Sequence, residues 1–208
     1  MTPALGVECA LPKDFQPYPR DPRPLVWLSM ALGFAGAMMF GQGAYIQAKA
    51  WLAQILIERA WSSTLAGRSH VKPWPWADTW PVARLMYDRS RRSLYILAGA
   101  DGRTIAFGPG HQFGTPLPGE SGNSVIGGHR DTHLAFLRDV KVGERFDIER
   151  ADGVRVTYRV TDTRVVDKRD GWLMRNQGSA RLTLITCWPF DALRAGGDER
   201  YAVIATRI

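Results

Sequence analysis

The stretch Arg181-Leu-Thr-Leu-Ile-Thr-Cys-Trp-Pro-Phe190 combines strand chemistry with a reactive group. An apolar, β-branched run ends at a cysteine, and a Trp-Pro dipeptide follows at once. β-branched residues favour strands, whereas proline interrupts a strand ladder because it lacks an N–H group. The pattern predicts a strand that ends at Cys187 and holds its thiol on a rigid base. A buried structural cysteine is the competing interpretation, because free cysteine is among the most buried residue types.

Short β-branched or aromatic runs, separated by Gly, Pro, Asp and Asn, surround that strand on both sides. Eight such runs follow residue 80, and this number predicts an all-β domain over 81–208, either a closed barrel or a sandwich. A helical turn is expected between His133 and Val140. The predicted strands are Ala83–Tyr87, Ser93–Ala98, Thr104–Gly108, Asn123–Gly127, Arg145–Glu149, Val154–Val166, Leu182–Thr186 and Tyr201–Arg207.

The N-terminal part has a different composition. Residues 1–24 are rich in proline, which disfavours a helix, and we expect a short disordered tail there. The uncharged stretch 25–46 is long enough to be a transmembrane helix, with Trp27 and Tyr45 near its ends as interfacial aromatics. A buried core helix and a cleaved signal peptide are the alternatives, and we favour an uncleaved signal anchor.

Residues 47–80 are expected to connect this anchor to the β domain. The helix should continue to Leu65 as a stalk or as an amphipathic helix lying on the membrane or on the domain, and Gly67 should end it. Three prolines and three tryptophans in His70–Pro81 exclude regular structure, so we expect an extended lead-in whose rings cover the core. The residues at helical spacing on one face are Trp51, Leu52, Ile55 and Leu56, and Arg59 extends this spacing.

The net charge and the cysteine content of the chain limit the functions that it can have. The chain carries a formal charge of +7 over 208 residues, but the basic residues are dispersed and no nucleic-acid motif accompanies them. We therefore expect no nucleic-acid partner. The two cysteines, Cys9 and Cys187, fall on opposite sides of the predicted span, which would prevent a disulfide and leave Cys187 a free thiol.

A thiol becomes a useful nucleophile when a base or a cation lies near it. His129 is the strongest candidate base because it ends the run Val125-Ile-Gly-Gly-His129, where the glycines allow another group to approach closely. His133 follows four residues later, but no carboxylate or cysteine stands where a third metal ligand is expected. We therefore expect neither a metal nor a cofactor.

Attack of a thiolate on a carbonyl builds negative charge on the oxygen, which must be stabilised. Arg194 and Arg200 both follow the cysteine. Arg200 begins the last predicted strand and so has a rigid base, whereas Arg194 lies in a glycine-containing loop. We therefore prefer Arg200 as the stabilising cation.

These motifs resemble those of the sortases, a family of cysteine transpeptidases. Thr183-Leu-Ile-Thr-Cys187 matches the Thr-Leu-x-Thr-Cys signature of that family, and Asn123-Ser-Val-Ile-Gly-Gly-His-Arg130 resembles its histidine strand. The resemblance extends over about Trp80 to Ile208, and the predicted membrane anchor agrees with it. Further similar segments are Gly108–His111, Thr115–Gly119 and Arg200–Val203.

The subclass that this chain resembles most is that of the proteobacterial sortases. The continuation Cys-Trp-Pro-Phe-Asp191 and the pair Gly196-Gly197 carry this similarity. The resemblance implies a closed sortase-type barrel in a Gram-negative envelope, anchored by one helix in the cell membrane, with the catalytic domain facing the periplasm or outside. Its partners would be a surface protein with a C-terminal sorting signal and an amine acceptor.

The resemblance also implies roles for individual residues. Cys187 would be the nucleophile, His129 the general acid and base, and Arg200 the group that holds the substrate and the oxyanion. The segment between Val166 and Ala180 would form a wall of the substrate groove. Substrate-binding residues would be Thr186, Trp188 and Trp172.

Two other functions remain open from the sequence. The same residues would serve a cysteine endopeptidase that releases its target by hydrolysis. An anchored β-barrel that binds a surface protein or a glycan would not need the thiol at all.

Overall fold

The computed structural model describes residues 23–87, 89, 92–175, 178–192, 194 and 196–208. Residues 1–22 of the predicted tail therefore lie outside the described part of the chain. The chain divides into two compact units, one through Gln47 and one from Ala48 onward.

Helix α1 spans Arg23–Leu65, so it begins two residues before the predicted span and ends at the residue predicted. Its most apolar window has a mean hydropathy of 1.5 and is not buried, so by length and composition the helix could cross a membrane. The helix ends because Gly67 adopts φ 88°, a left-handed conformation that glycine adopts without strain. The Gly67 N–H donates to the Thr64 carbonyl at 2.9 Å.

The last turns of α1 lie on the β domain, but on a different face from the one predicted. Trp51 and Leu52 are 69% and 51% exposed. Ile55 and Leu56 of the predicted face are half-buried. The Gln54 amide donates to the Phe107 carbonyl at 2.7 Å and fixes the contact. The buried residues of this face are Ala53, Ile57, Ala60, Trp61 and Thr64.

The Trp/Pro lead-in packs partly as predicted. The Trp74 ring meets the Phe107 ring edge-on at 5.0 Å, and the His70 ring meets the Trp80 ring at 4.6 Å. Trp76, in contrast, is 79% exposed and covers none of the core. Trp74 therefore packs against a ring outside the lead-in, whereas Trp80 packs against the ring of His70 within it.

Eight strands close into a barrel, which confirms the predicted fold and excludes the sandwich. Neighbours follow the order β1-β2-β3-β4-β7-β8-β6-β5, and β5 pairs back with β1. The β2–β3 and β4–β7 pairs are parallel and the others antiparallel. The strands are β1 Pro81–Tyr87, β2 Arg92–Ala98, β3 Gly110–His111, β4 Asn123–Gly127, β5 Arg145–Arg150, β6 Arg155–Asp167, β7 Arg181–Cys187 and β8 Glu199–Arg207.

The strand predicted at Thr104–Gly108 is wrong. Residues Thr104–Ala106 form a short 3₁₀ helix, and β3 follows at Gly110–His111 instead. The Asp101 carboxylate causes the turn because it accepts hydrogen bonds from the backbone N–H groups of Arg103 and Thr104. Such local bonds compete with a strand ladder and outweigh β propensity here. The predicted helical turn after His133 is present as a 3₁₀ helix at Ala135–Asp139.

The barrel interior and the outer face of β7 and β8 carry separate apolar clusters. Leu182 and Leu184 of β7 point into the interior cluster, which also contains the largest buried rings, Tyr158 and Phe146. The alternate residues point outward, as the period of a strand requires. The outer cluster comprises Val166, Leu173, Ala202 and Ile204, with Trp172 and Ile185 packed against it.

Candidate active site

Cys187 is the last residue of β7, as the sequence predicted. It pairs directly with Arg200 of the antiparallel strand β8, so both residues belong to the same face of the sheet. Ile185, two residues earlier, packs against the outer cluster, and Cys187 shares its face by the strand alternation. The thiol is half-buried and forms no disulfide. Cys187 therefore stands at the end of an apolar floor on the outer surface of the barrel.

His129 lies just beyond the end of β4, the parallel neighbour of β7. Gly127 pairs with Ile185, and the Gly128 N–H donates to the Ile185 carbonyl at 3.1 Å. His129 and Cys187 each follow that pair by two residues, so the two strand ends lie side by side. The His129 side chain is exposed. The topology thus brings together a histidine and a cysteine that are 58 positions apart in the sequence.

Thr186 joins these two strand ends. Its hydroxyl donates to the Gly128 carbonyl at 2.7 Å, and its side chain is buried, with 2% exposure for the residue. The predicted contact of Thr186 with substrate stays a prediction. The residue links the cysteine strand to the residue that precedes His129.

Trp188 packs toward the interior cluster rather than the outer face that carries Cys187. Its ring stacks on Tyr201 with centroids 5.6 Å apart and meets Phe190 edge-on at 5.6 Å. Trp188 is only partly buried and lines an open cleft, and its contact with substrate stays a prediction.

Arg200 donates from Nη1 to the carbonyl oxygens of Gly197 at 3.0 Å and Glu199 at 2.8 Å. These bonds hold its guanidinium beside the loop that precedes β8, while its backbone stays opposite Cys187. The alternative candidate, Arg194, lies in that loop with an exposed side chain. Of these two arginines, only Arg200 lies opposite Cys187 in a pair of neighbouring strands.

Residues 171–174, which lie between β6 and β7, form a wall beside the outer cluster. The 3₁₀ helix Gly171–Met174 buries Leu173 and keeps Trp172 half-buried. The Arg164 guanidinium lies 5.0 Å from the centre of the Trp172 ring, a cation–π contact that steadies the wall. Trp172 packs near Ile185 in this cluster, on the face that carries Cys187. The role of Trp172 in the wall of a substrate groove stays a prediction.

Asn123 fastens this wall to the barrel. Its buried side-chain amide donates to the Leu173 carbonyl at 2.5 Å. Its side-chain oxygen accepts the Thr183 hydroxyl at 2.7 Å. One side chain thus joins β4, β7 and the wall.

Arg130 is the structural residue that sequence reasoning missed. It follows His129 directly and is only 4% exposed. Its guanidinium donates to three carbonyl oxygens of the loop after Cys187: Pro189 at 2.8 Å, Ala192 at 3.0 Å and Arg194 at 2.5 Å. The sequence showed an arginine at the end of a buried strand, but its partners were fixed only by the fold.

His133 lies close enough to His129 for their charges to interact. Burial, above all, and repulsion from His129 lower the pKa of His133, while a hydrogen bond with the Ala106 backbone opposes this shift. Neutral His133 therefore adds no positive charge beside His129 near neutral pH. Within the described ranges, no group of three His, Cys, Asp or Glu residues is placed to hold a metal.

The clefts on the β-domain unit include two of similar volume. One cleft has a volume of about 620 Å³. It is lined by the four residues that follow Cys187 in the sequence, 188–191, together with Arg138 and Tyr201. The other, of about 630 Å³, lies between α1 and the lead-in and contains none of the candidate catalytic residues. Neither of these two clefts is lined by Cys187, His129 or Arg200.

The fold and these side chains define a class of protein: a closed β-barrel with a thiol, an imidazole and a guanidinium at neighbouring strand ends. The family model for the sortase domain matches residues 86–208, which is more than half of the chain. The chain belongs to the sortase family, whose members are cysteine transpeptidases.

Individual relatives agree with this membership. Sortase D of Bacillus subtilis (strain 168) is 30% identical over 116 residues, which cover 55% of this chain and 58% of that relative. Sortase C-1 of Actinomyces oris is 29% identical with a TM-score of 0.56, covering 73% of this chain and 97% of that one. Sortase A of Corynebacterium diphtheriae is 25% identical with a TM-score of 0.57, covering 75% and 84%.

Proposed function

We propose that this chain is a membrane-anchored cysteine transpeptidase that cleaves a C-terminal sorting signal and transfers the target protein to an amine. The observation that carries the proposal is the strand register, which pairs Cys187 with Arg200 and brings the histidine strand alongside. Family membership supports the reaction class. The apolar floor beside Cys187 offers a surface on which an extended peptide could lie.

The proposed reaction begins when the Cys187 thiolate attacks the scissile carbonyl of the sorting signal. Arg200 faces the negative charge that develops on the carbonyl oxygen, once its guanidinium exchanges the Gly197 and Glu199 carbonyls for substrate. His129 donates a proton to the leaving amine, and a thioester to Cys187 remains. The amine acceptor then attacks the thioester and His129 accepts its proton. Formation of the new amide bond expels Cys187 as the thiolate, which restores the starting thiolate and protonated imidazole.

The other site residues take supporting roles in this proposal. Trp172 and the rest of the wall border the bound peptide. Thr186 acts as a positioning residue through Gly128 rather than as a substrate contact, and Trp188 supports the floor from inside.

The proposal also includes the location of the protein in the cell and its subclass within the sortase family. Helix α1 would cross the cell membrane once, with the barrel facing the periplasm or outside. The Cys-Trp-Pro-Phe-Asp191 continuation and Gly196-Gly197 support the proteobacterial subclass.

The test is a library of randomised pentapeptides between a fluorophore and a quencher, incubated with the full chain in detergent micelles and hydroxylamine as the amine. Mass spectrometry should detect peptide hydroxamates, and Cys187→Ala and His129→Ala should produce none. Free acids alone would identify the endopeptidase instead. Absence of any cleavage that depends on Cys187 would favour the binding module.

A further inference from the structure

The backbone around His129 is held from both sides. On the N-terminal side, the Gly128 N–H donates to Ile185 and the Gly128 carbonyl accepts the Thr186 hydroxyl. On the C-terminal side, Arg130 is fixed by its three loop carbonyls. His129 itself is exposed. The position of the imidazole therefore depends on the backbone that carries it.

The guanidinium of Arg130 is a strong anchor for this backbone. Arginine stays charged at all ordinary pH values, and burial of a charge is unfavourable unless hydrogen bonds compensate it. Three carbonyl oxygens supply those bonds, and the Asp131 carboxylate lies 3.3 Å from Nε with its side chain largely exposed. Because these partners are on the loop after Cys187, the anchor ties His129 to the chain segment that follows the nucleophile.

We propose that Arg130 is a positioning residue for His129: it holds the histidine backbone against the loop that joins Cys187 to Arg200. It acts through His129 and touches no substrate. This role rests on the proposed function, because it matters for turnover only if His129 transfers protons.

Arg138 supplies a matched control. Its guanidinium also donates to a carbonyl of the same loop, that of Phe190 at 3.0 Å, and lies 5.3 Å from the centre of the Phe190 ring. It comes from the 3₁₀ helix Ala135–Asp139, nine positions after His129. Loss of Arg138 therefore weakens the loop without releasing the residues next to His129.

The kinetic test compares Arg130→Gln, Arg130→Lys and Arg138→Gln in the full chain in detergent micelles, with a peptide selected from the library. We expect Arg130→Gln to lower kcat by about 10- to 100-fold with little change in KM, since small misplacements of a catalytic group have effects of this size. Arg130→Lys keeps the positive charge but loses the forked geometry of the guanidinium. Its kcat should therefore lie between that of wild type and that of Arg130→Gln. Arg138→Gln should keep kcat within about twofold.

Hydrogen–deuterium exchange gives a readout that does not depend on activity. Arg130→Gln should speed exchange in the peptide 126–134, whereas Arg138→Gln should leave that peptide near the wild-type rate. If the wild-type chain yields no product that depends on Cys187, the proposed function fails, and the exchange data still decide whether Arg130 holds this backbone.

Three results would overturn the proposal. They are an unchanged kcat in Arg130→Gln, equal losses in Arg130→Gln and Arg138→Gln, and unchanged exchange at 126–134. If Arg130→Gln does not fold, Arg130→Lys decides the matter, because wild-type kcat and exchange in that variant would show that the fork is not needed.

Discussion

The Thr186 hydroxyl shows how one side chain can connect two reactive strand ends. It is buried, and it donates to the carbonyl of the residue before His129 while its own neighbour is Cys187. A residue adjacent to a nucleophile would ordinarily be assigned to the substrate. Here the side-chain direction instead points to control of the spacing between β4 and β7.

Replacing Thr186 with valine, which has nearly the same shape, tests this role. The change removes the donor to Gly128, and we expect kcat to fall about 10-fold with little change in KM, together with a loss of about 1–3 kcal/mol in the free energy of unfolding. Steady-state kinetics and urea unfolding measure the two effects. Thr186→Ser keeps the hydroxyl and should behave as wild type. A raised KM with unchanged kcat would instead support a direct substrate contact.

Substitution of the two arginines that follow Cys187 tests which of them stabilises the oxyanion. Arg200 pairs with Cys187 across the sheet, whereas the side chain of Arg194 is exposed in the loop. We expect Arg200→Gln to lower kcat/KM by about 100- to 1,000-fold, as loss of an oxyanion donor does. Arg194→Gln should stay within about twofold of wild type, as most surface substitutions do. Measured kcat/KM values in the reverse order would reassign the cation.

At the scale of elements, the parallel pair β4–β7 creates the site and the segment after β6 encloses it. Parallel neighbours end at the same edge of a sheet, so the histidine and cysteine strands release their last residues together. The wall 171–174 then covers the outer cluster, and a single asparagine fastens it.

Asn123→Ala should loosen this wall. The variant leaves the Leu173 carbonyl and the Thr183 hydroxyl without their partner, so we expect a loss of about 1–3 kcal/mol in stability and a higher KM for the peptide. Thr183→Val removes only the hydrogen bond between residues 183 and 123, so it should raise KM less than Asn123→Ala does. Thermal unfolding and steady-state kinetics measure both. An equal KM in Asn123→Ala and wild type would show that the wall does not contact substrate.

At the scale of the whole molecule, the chain combines an apolar N-terminal helix with a closed β-barrel. The helix is long enough to cross a bilayer, and by its position in the sequence it separates Cys9 from Cys187. If α1 crosses the membrane as proposed, the two cysteines lie on opposite sides of it and can be labelled separately.

Labelling with a membrane-impermeant maleimide tests this arrangement in bacterial cells whose outer membrane has been made permeable. We expect label on the Cys9→Ser variant, where Cys187 remains, and none on Cys187→Ser until detergent is added. Cys187 is half-buried, so unfolding in urea after quenching should confirm that unlabelled thiol was present. Immediate labelling of Cys9 alone would reverse the proposed orientation.

The sequence determined the features that depend on local pattern. Alternation and turn residues placed seven of the eight predicted strands and the end of α1 at Leu65, and the motifs around Cys187, His129 and Arg200 indicated the family. The misplaced strand at 104–108 failed because the Asp101 side chain stabilised a turn that propensity does not describe.

The tertiary structure alone decided which residues meet. The face of α1 that packs, the inward direction of Trp188, the buried hydroxyl of Thr186 and the loop carbonyls around Arg130 all depend on contacts between distant segments. A local pattern reports how a residue suits its own strand or helix. It does not report which partner satisfies a buried hydroxyl or guanidinium, because that partner is set by barrel closure and strand register.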